Sequence, residues 1–211
     1  MNSSKIKKYS FATELMRKLI HMNALFIVLL YEFFGKQITL IVLMIALVIA
    51  LEAEYLRIEH GVKIPFFDAT YRKKERKTLA GHVYFEIGAI LVISVFSKEV
   101  AIMSILMAVF GDASAAIFGR AYGKHFIPGL KNKATEGVFA EFVADMLAGM
   151  IYLWLFVGAI SPTWWVILIA MATVATIVET ISGRLDDNLI VPVFSGMTGE
   201  SIIFLIVYIS I

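Results

Sequence analysis

The sequence contains no cysteine and only four histidines, His21, His60, His82 and His125. Without thiols there is neither a disulfide nor a thiolate metal site. The histidines lack metal-ligand spacing, so zinc is not expected. Charge is also scarce, with Asp, Glu, Lys and Arg making up 17% of the 211 residues. No internal repeat, low-complexity tract or flexible linker interrupts the chain, which weakens the case for a transporter built from inverted repeats. Lys5-Ile6-Lys7-Lys8 and the apolar stretch behind it have the outline of a signal peptide. However, no small-residue cleavage site follows, and the next segment carries Glu14, Arg17, Lys18 and His21.

What fills the chain is apolar. It is 60% hydrophobic with a mean hydropathy of +0.83, against roughly 45–50% apolar residues in a soluble domain. Apolar runs of about 18–23 residues, long enough to span a bilayer, recur from end to end. The pattern predicts seven helices over 15–34, 38–56, 79–96, 100–118, 138–160, 162–181 and 189–211. The expected fold class is all-α: a polytopic integral membrane protein in which residues 1–211 form a single transmembrane domain.

Seven spans with a cytoplasmic N-terminus put 57–78, 119–137 and 182–188 inside. Of the 19 Lys and Arg residues, only Lys36 and Lys98 then fall in outside loops, as the positive-inside rule requires. The C-terminus would lie outside, and a six-span arrangement would invert the later loops. The basic residues are thus topological and juxtamembrane, and no nucleic-acid partner is expected. The predicted location is the cell membrane, multi-pass, with the inner loops facing the cytoplasm.

Acidic residues interrupt the apolar pattern at few places. Gly111-Asp112 opens a run of small residues that leaves through Gly119, Gly123 and Lys124. A carboxylate inside a membrane helix costs a few kcal/mol on insertion scales and usually marks a functional site. Lys133-Ala134-Thr135-Glu136-Gly137 opens the fifth predicted helix. The free N–H groups and positive dipole end of a helix N-terminus suit a phosphate; lysine adds a point charge, and Glu136 offers a metal ligand. Glu179 closes the sixth helix, ahead of Asp186-Asp187-Asn188. Adjacent aspartates and an amide supply the oxygen ligands that Mg²⁺ takes, completed by water and phosphate.

Other charged positions are more ambiguous. Glu14, Arg17, Lys18 and His21 share one helical face. Two of them alone would be ordinary cations snorkelling to lipid phosphates. Arg72 and its basic neighbours have the composition of a stop-transfer flank that binds anionic lipid heads. His82 and Glu86 sit four apart and can pair. Glu141 and Asp145 also sit four apart, deeper in the fifth helix, and no role follows from their spacing.

Taken in order, Glu14-x-x-Arg17-Lys18-x-x-His21, Glu54-x-x-Arg57, Arg72-x-x-Glu75, Gly81-x-x-Tyr84-Phe85, Gly111-Asp112-x-x-Ala115, Gly119-x-x-Tyr122-Gly123-Lys124, Lys133-x-x-Glu136-Gly137, Glu179 and Asp186-Asp187-Asn188 resemble the dolichol kinase and phytol kinase family. The resemblance runs from Glu14 to Pro192. It implies a membrane enzyme that uses CTP to phosphorylate a lipid alcohol such as dolichol, another polyprenol, phytol or diacylglycerol, here in the compact microbial form. Two positions depart from the family's pattern. Ala134 stands where a hydroxyl residue often follows the lysine, leaving Thr135 to replace it, and Glu54 stands where aspartate is common.

The resemblance implies Mg²⁺ between the triphosphate and members of the set Asp112, Glu136, Asp186, Asp187 and Asn188. Lys133, Lys124, Gly137, Arg17, Lys18, His21 and Arg72 would contact the nucleotide phosphates. Glu14, Glu179, Gly111, Gly119 and Gly123 would support the site. Asp112, Asp187 and Glu136 are the candidate catalytic residues, with Asp112 orienting the lipid hydroxyl or accepting its proton. An isoprenoid alcohol is the expected acceptor, because polar groups able to serve ester carbonyls are few beyond Thr173, Thr176 and Ser182. The rival readings are a diacylglycerol kinase of the same family, a phosphatidate cytidylyltransferase and an ion-coupled transporter. The cytidylyltransferase's customary C-terminal signature is absent, and the acids cluster at inner helix ends rather than mid-membrane.

Overall fold

The computed structural model describes residues 24–62, 75, 78–130, 133–158, 161–183 and 185–209. The chain is all-α. Its helices are α1 (Ala24–His60), α2 (Gly81–Val95), α3 (Lys98–Tyr122), α4 (Thr135–Tyr152), α5 (Pro162–Ile181) and α6 (Asp187–Ile209). A π-helical turn, Leu153–Val157, continues α4 and ends at Gly158, whose φ of 93° few other residues adopt. Five of the described helices are long and apolar enough to cross a membrane, and α2 is a shorter apolar helix. The chain is a polytopic membrane protein.

The first two of the seven expected helices run together as α1, which is two helices joined across a kink at Gly35. The predicted helices 15–34 and 38–56 meet inside α1, where Gly35 (φ 78°, ψ 177°) departs from helical geometry. The 37 residues of α1 would form a straight rod of about 55 Å, well beyond a hydrocarbon core of about 30 Å. Gly35 is the turning point. Glu32 before it binds Lys98, and Lys36 after it donates to the Ser94 carbonyl. Glu54 and Arg57 reach the opposite end of the bundle, at Ala80 and Thr78.

Helix α3 is the axis of the molecule. Every residue from Val100 to Val109 is buried, as befits a helix that is apolar all round and enclosed by others. It shares one hydrophobic core with Val92 and Ile93 of α2, Ala148 of α4, Leu168 and Met171 of α5 and Val191 of α6. Small residues let the helices approach closely. A Cβ on Gly137 would come within 2.9 Å of the Ala115 carbonyl and 3.1 Å of Gly119 Cα. Such glycine-mediated crossings are a common means of packing helices in lipid, where the hydrophobic effect between helices is lost.

The two ends of the bundle differ. Lys36, Lys98, Glu32 and Glu200 hold one end together, Glu200 accepting hydrogen bonds from the backbone N–H and hydroxyl of Ser97. Asp112 is fourteen residues further along α3, about 21 Å away along the axis. At that far end α3 closes, α4 begins, α5 closes and α6 begins.

Candidate active site

Helix packing brings the acids together. Asp112 lies within α3, ten residues before its last, Glu179 stands near the end of α5, and Asp187 is the first residue of α6. One carboxylate oxygen from each lies within 4.8 Å of the others. Asp112, Glu141, Glu179, Asp187 and Asn188 line a common cavity, closed by Ala108 and Val191. Lys133 stands beside it, its ammonium 2.6 Å from Glu179 Oε1 and 3.2 Å from the Glu179 carbonyl. Three oxygen donors within one ion's reach, beside a lysine, fit a hard divalent cation such as Mg²⁺ and its phosphate ligands.

Asp186 has a different position from its neighbour. It is the residue before α6, and its carbonyl accepts from the N–H groups of Leu189 and Ile190. Its Oδ1 accepts from the Asn188 side-chain amide at 2.8 Å. Asp186 therefore starts the helix and orients Asn188, while Asp187 and Asn188 line the cavity. Asn188 is packed closely from α2: a Cβ on Gly81 would fall 2.7 Å from Asn188 Nδ2, and one on Gly88 would fall 3.1 Å from the Asn188 carbonyl.

That placement depends on a buried ion pair in α1. Arg57 binds Glu54 with two nitrogens, at 2.9 and 2.6 Å. It also donates to the Glu75 and Thr78 carbonyls, and Glu54 accepts from the N–H of Ala80. The planar, two-pronged geometry suits arginine in particular. Together these contacts fasten the stretch leading into α2 and set Gly81 against Asn188. The motif Glu54-x-x-Arg57 thus acts on the cavity through the backbone of its neighbour.

Several residues expected at the site are elsewhere. Glu136 pairs with His125, with Oε1 2.7 Å from Nδ1, and also accepts from the His125 N–H. It does not line the cavity or join the carboxylate group. Gly137 and Gly119 serve the α3–α4 crossing, and Gly123 abuts Ala134, whose Cβ would lie 2.8 Å from a glycine Cβ. Lys124 is exposed on the loop between α3 and α4. That loop turns through Gly129 (φ 83°) and is tied by Ile127 N–H to the Lys133 carbonyl. Glu14, Arg17, Lys18, His21 and Arg72 lie outside the described residues. Gly111 is buried beneath the cavity, and Glu179 moves from a supporting position to its centre.

Fold and cavity together define a polytopic membrane protein with a carboxylate group and a lysine gathered at one end. The chain is 32% identical to CTP-dependent diacylglycerol kinase 1 of Schizosaccharomyces pombe over 134 residues, 59% of this chain and 61% of that protein. It is 34% identical to CTP-dependent diacylglycerol kinase 1 of Saccharomyces cerevisiae over 109 residues, 47% of this chain and 36% of that one. With probable phytol kinase 3, chloroplastic, of Glycine max it shares 33% identity over 136 residues, 61% of this chain and 43% of the relative. The matched stretch is thus less than two thirds of each relative's length. No family model and no solved structure matches. Over the matched stretch the chain is thus similar to CTP-dependent diacylglycerol kinases and to phytol kinases, membrane lipid kinases by name.

Proposed function

We propose that the protein is a CTP-dependent lipid-alcohol kinase that transfers the γ-phosphate of CTP to an isoprenoid alcohol. The observation that carries this reading is the convergence of Asp112, Glu179 and Asp187 beside Lys133, in a chain whose relatives are named for CTP-dependent and phytol kinase activities. The lipid hydroxyl attacks the γ-phosphorus in line; the bond from the β,γ-bridging oxygen to the γ-phosphorus breaks, and CDP leaves. Little covalent help is needed, because positioning and charge neutralisation supply most of the acceleration. Asp112, Glu179 and Asp187 would hold Mg²⁺, which neutralises triphosphate charge when bound. Lys133 would exchange Glu179 for a phosphate oxygen, assisted by Lys124 on the loop. Asp112 orients the incoming hydroxyl and takes its proton, and Asp186 keeps Asn188 turned towards the cavity. Arg17, Lys18, His21 and Arg72 supply further phosphate contacts.

The isoprenoid reading is supported by how the hydroxyls of α5 and its exit are engaged. Thr173 and Thr176 donate to the helix carbonyls of Ile169 and Ala172, and Ser182 donates to that of Glu179. A hydroxyl has one proton to donate, so these three are engaged within the protein. An acceptor with one hydroxyl and an apolar tail asks for no more, whereas the two ester carbonyls of diacylglycerol need partners or water. Diacylglycerol remains the second reading because the yeast relatives are named for it. Purified protein given γ-labelled CTP and equal mole fractions of a polyprenol and diacylglycerol is expected to release CDP, lose activity to chelator and label the polyprenol. Pyrophosphate release would overturn the kinase reading in favour of a cytidylyltransferase. Preferential labelling of diacylglycerol would overturn the isoprenoid assignment alone.

The site end faces the cytoplasm in this reading. Arg57, Arg120, Lys124 and Lys133 lie towards that end, and Lys36 and Lys98 hold the opposite one, in keeping with the positive-inside rule. A reporter inserted between Gly129 and Leu130 is expected to report the cytoplasmic side, and a signal from the other side would reverse the orientation.

A further inference from the structure

Glu141 and Asp145 have no part in the chemistry above, yet they are 1% and 0% exposed. One oxygen of each, Glu141 Oε2 and Asp145 Oδ1, has no hydrogen-bond partner, and neither has Oε2 of Glu179. The other Asp145 oxygen lies 3.4 Å from the Thr176 hydroxyl, whose one proton is directed to the Ala172 carbonyl at 2.8 Å. Glu141 lines the cavity, and its carboxyl group lies against that of Glu179. Lys133 takes Oε1 of Glu179, which leaves Oε2 open.

Carboxyl oxygens buried among apolar helices without partners are strongly disfavoured unless a cation or a proton meets them. The fold nevertheless makes room for them. A Cβ on Gly111 would approach Glu141 Cγ to 3.2 Å and collide with Asp145 Oδ1. The glycine before Asp112 therefore admits the two α4 carboxylates against the α3 backbone. Their spacing of four residues stacks them on one face of α4, with Glu141 at the cavity and Asp145 one turn deeper.

We propose that Glu141 completes a second divalent-cation site that shares Glu179 with the group formed by Asp112, Glu179 and Asp187, Asp145 adding its charge from behind. A hard cation such as Mg²⁺ or Mn²⁺ needs only one or two carboxylates when water and phosphate oxygens complete its shell. Paired ions of this kind flank the attacking and leaving oxygens in phosphoryl transfer. The inference rests on reading the cavity as a phosphoryl-transfer site.

The test counts ions without turnover. The full chain in nanodiscs is loaded with β,γ-methylene-CTP and titrated with Mn²⁺, the bound ions being counted by electron paramagnetic resonance. Two ions per chain are expected for the unaltered protein and for Glu86→Gln, which alters a carboxyl group that does not line the cavity. One is expected for Glu141→Gln, which keeps side-chain size and removes the charge. If that variant does not fold, Glu141→Asp is expected to weaken the second binding step by about tenfold or more, at least what losing an outer-shell partner costs, and leave the first unchanged. A single ion in the unaltered protein, two ions in Glu141→Gln, or an unchanged second step in Glu141→Asp would overturn the proposal. Two ions in a chain that makes no CDP with any lipid alcohol would defeat the kinase reading and leave the site standing. One ion in a chain that does make CDP would defeat the site alone.

Discussion

Asp112→Asn and Asp187→Asn are each expected to lower turnover by about 10²–10³, the usual loss when a main electrostatic group leaves a phosphoryl-transfer site, while the protein stays folded. Both substitutions keep side-chain size and remove one of three carboxylates that converge within 4.8 Å. Asp112 and Asp187 are half-buried, so neither amide has to be accommodated in a closed core. Lys133→Ala should behave differently, weakening CTP binding as well as slowing transfer, because its ammonium stands at the cavity edge with 29% of its side chain exposed. Turnover under saturating CTP, together with the thermal midpoint in detergent, checks both expectations. Near-normal turnover of Asp112→Asn at an unchanged midpoint would reduce that residue to helix packing.

Gly137→Leu is expected to cost more in stability than in chemistry. The new Cβ would meet the Ala115 carbonyl at 2.9 Å and Gly119 Cα at 3.1 Å, and both are backbone atoms that cannot rotate away. Overpacking of this kind costs about 1–3 kcal/mol or more. The α3–α4 crossing would have to open, carrying Asp112 away from Glu141. The expected outcome is a lower thermal midpoint, with turnover and ion binding falling together. A variant with an unchanged midpoint and impaired CTP binding would return Gly137 to the phosphate-binding role suggested by its place in Lys133-x-x-Glu136-Gly137.

Much of the architecture was legible in the residues because membrane helices obey one local constraint. Every backbone polar group must be satisfied within the segment, so an apolar run of spanning length is a helix. Five of the described helices meet that length and composition, and Asp112 and Asp187 were legible as acids in an environment that penalises them. Where α1 turns was harder to read. Gly35 permits a non-helical residue, but the anchoring of both its flanks to one end of the bundle depends on Lys98 and Ser94, more than fifty residues away.

The sequence by itself determined that this is an all-helical membrane protein with a few acids and lysines placed against the apolar grain. It also determined the order of motifs that resembles the lipid alcohol kinases. Only the tertiary structure decided which acids meet. Glu136 and Asp186 have the same chemistry as Asp187, yet one pairs with His125 and the other starts α6 and orients Asn188. Glu179 and Glu141 join the cavity from α5 and α4. Motif spacing describes a single helix or loop, whereas a carboxylate's partners are set by where helices converge. That convergence follows from glycine crossings such as Gly119–Gly137 and from the way buried Glu54 and Arg57 fasten the entry to α2. These contacts join residues far apart in the chain, and no local pattern encodes them.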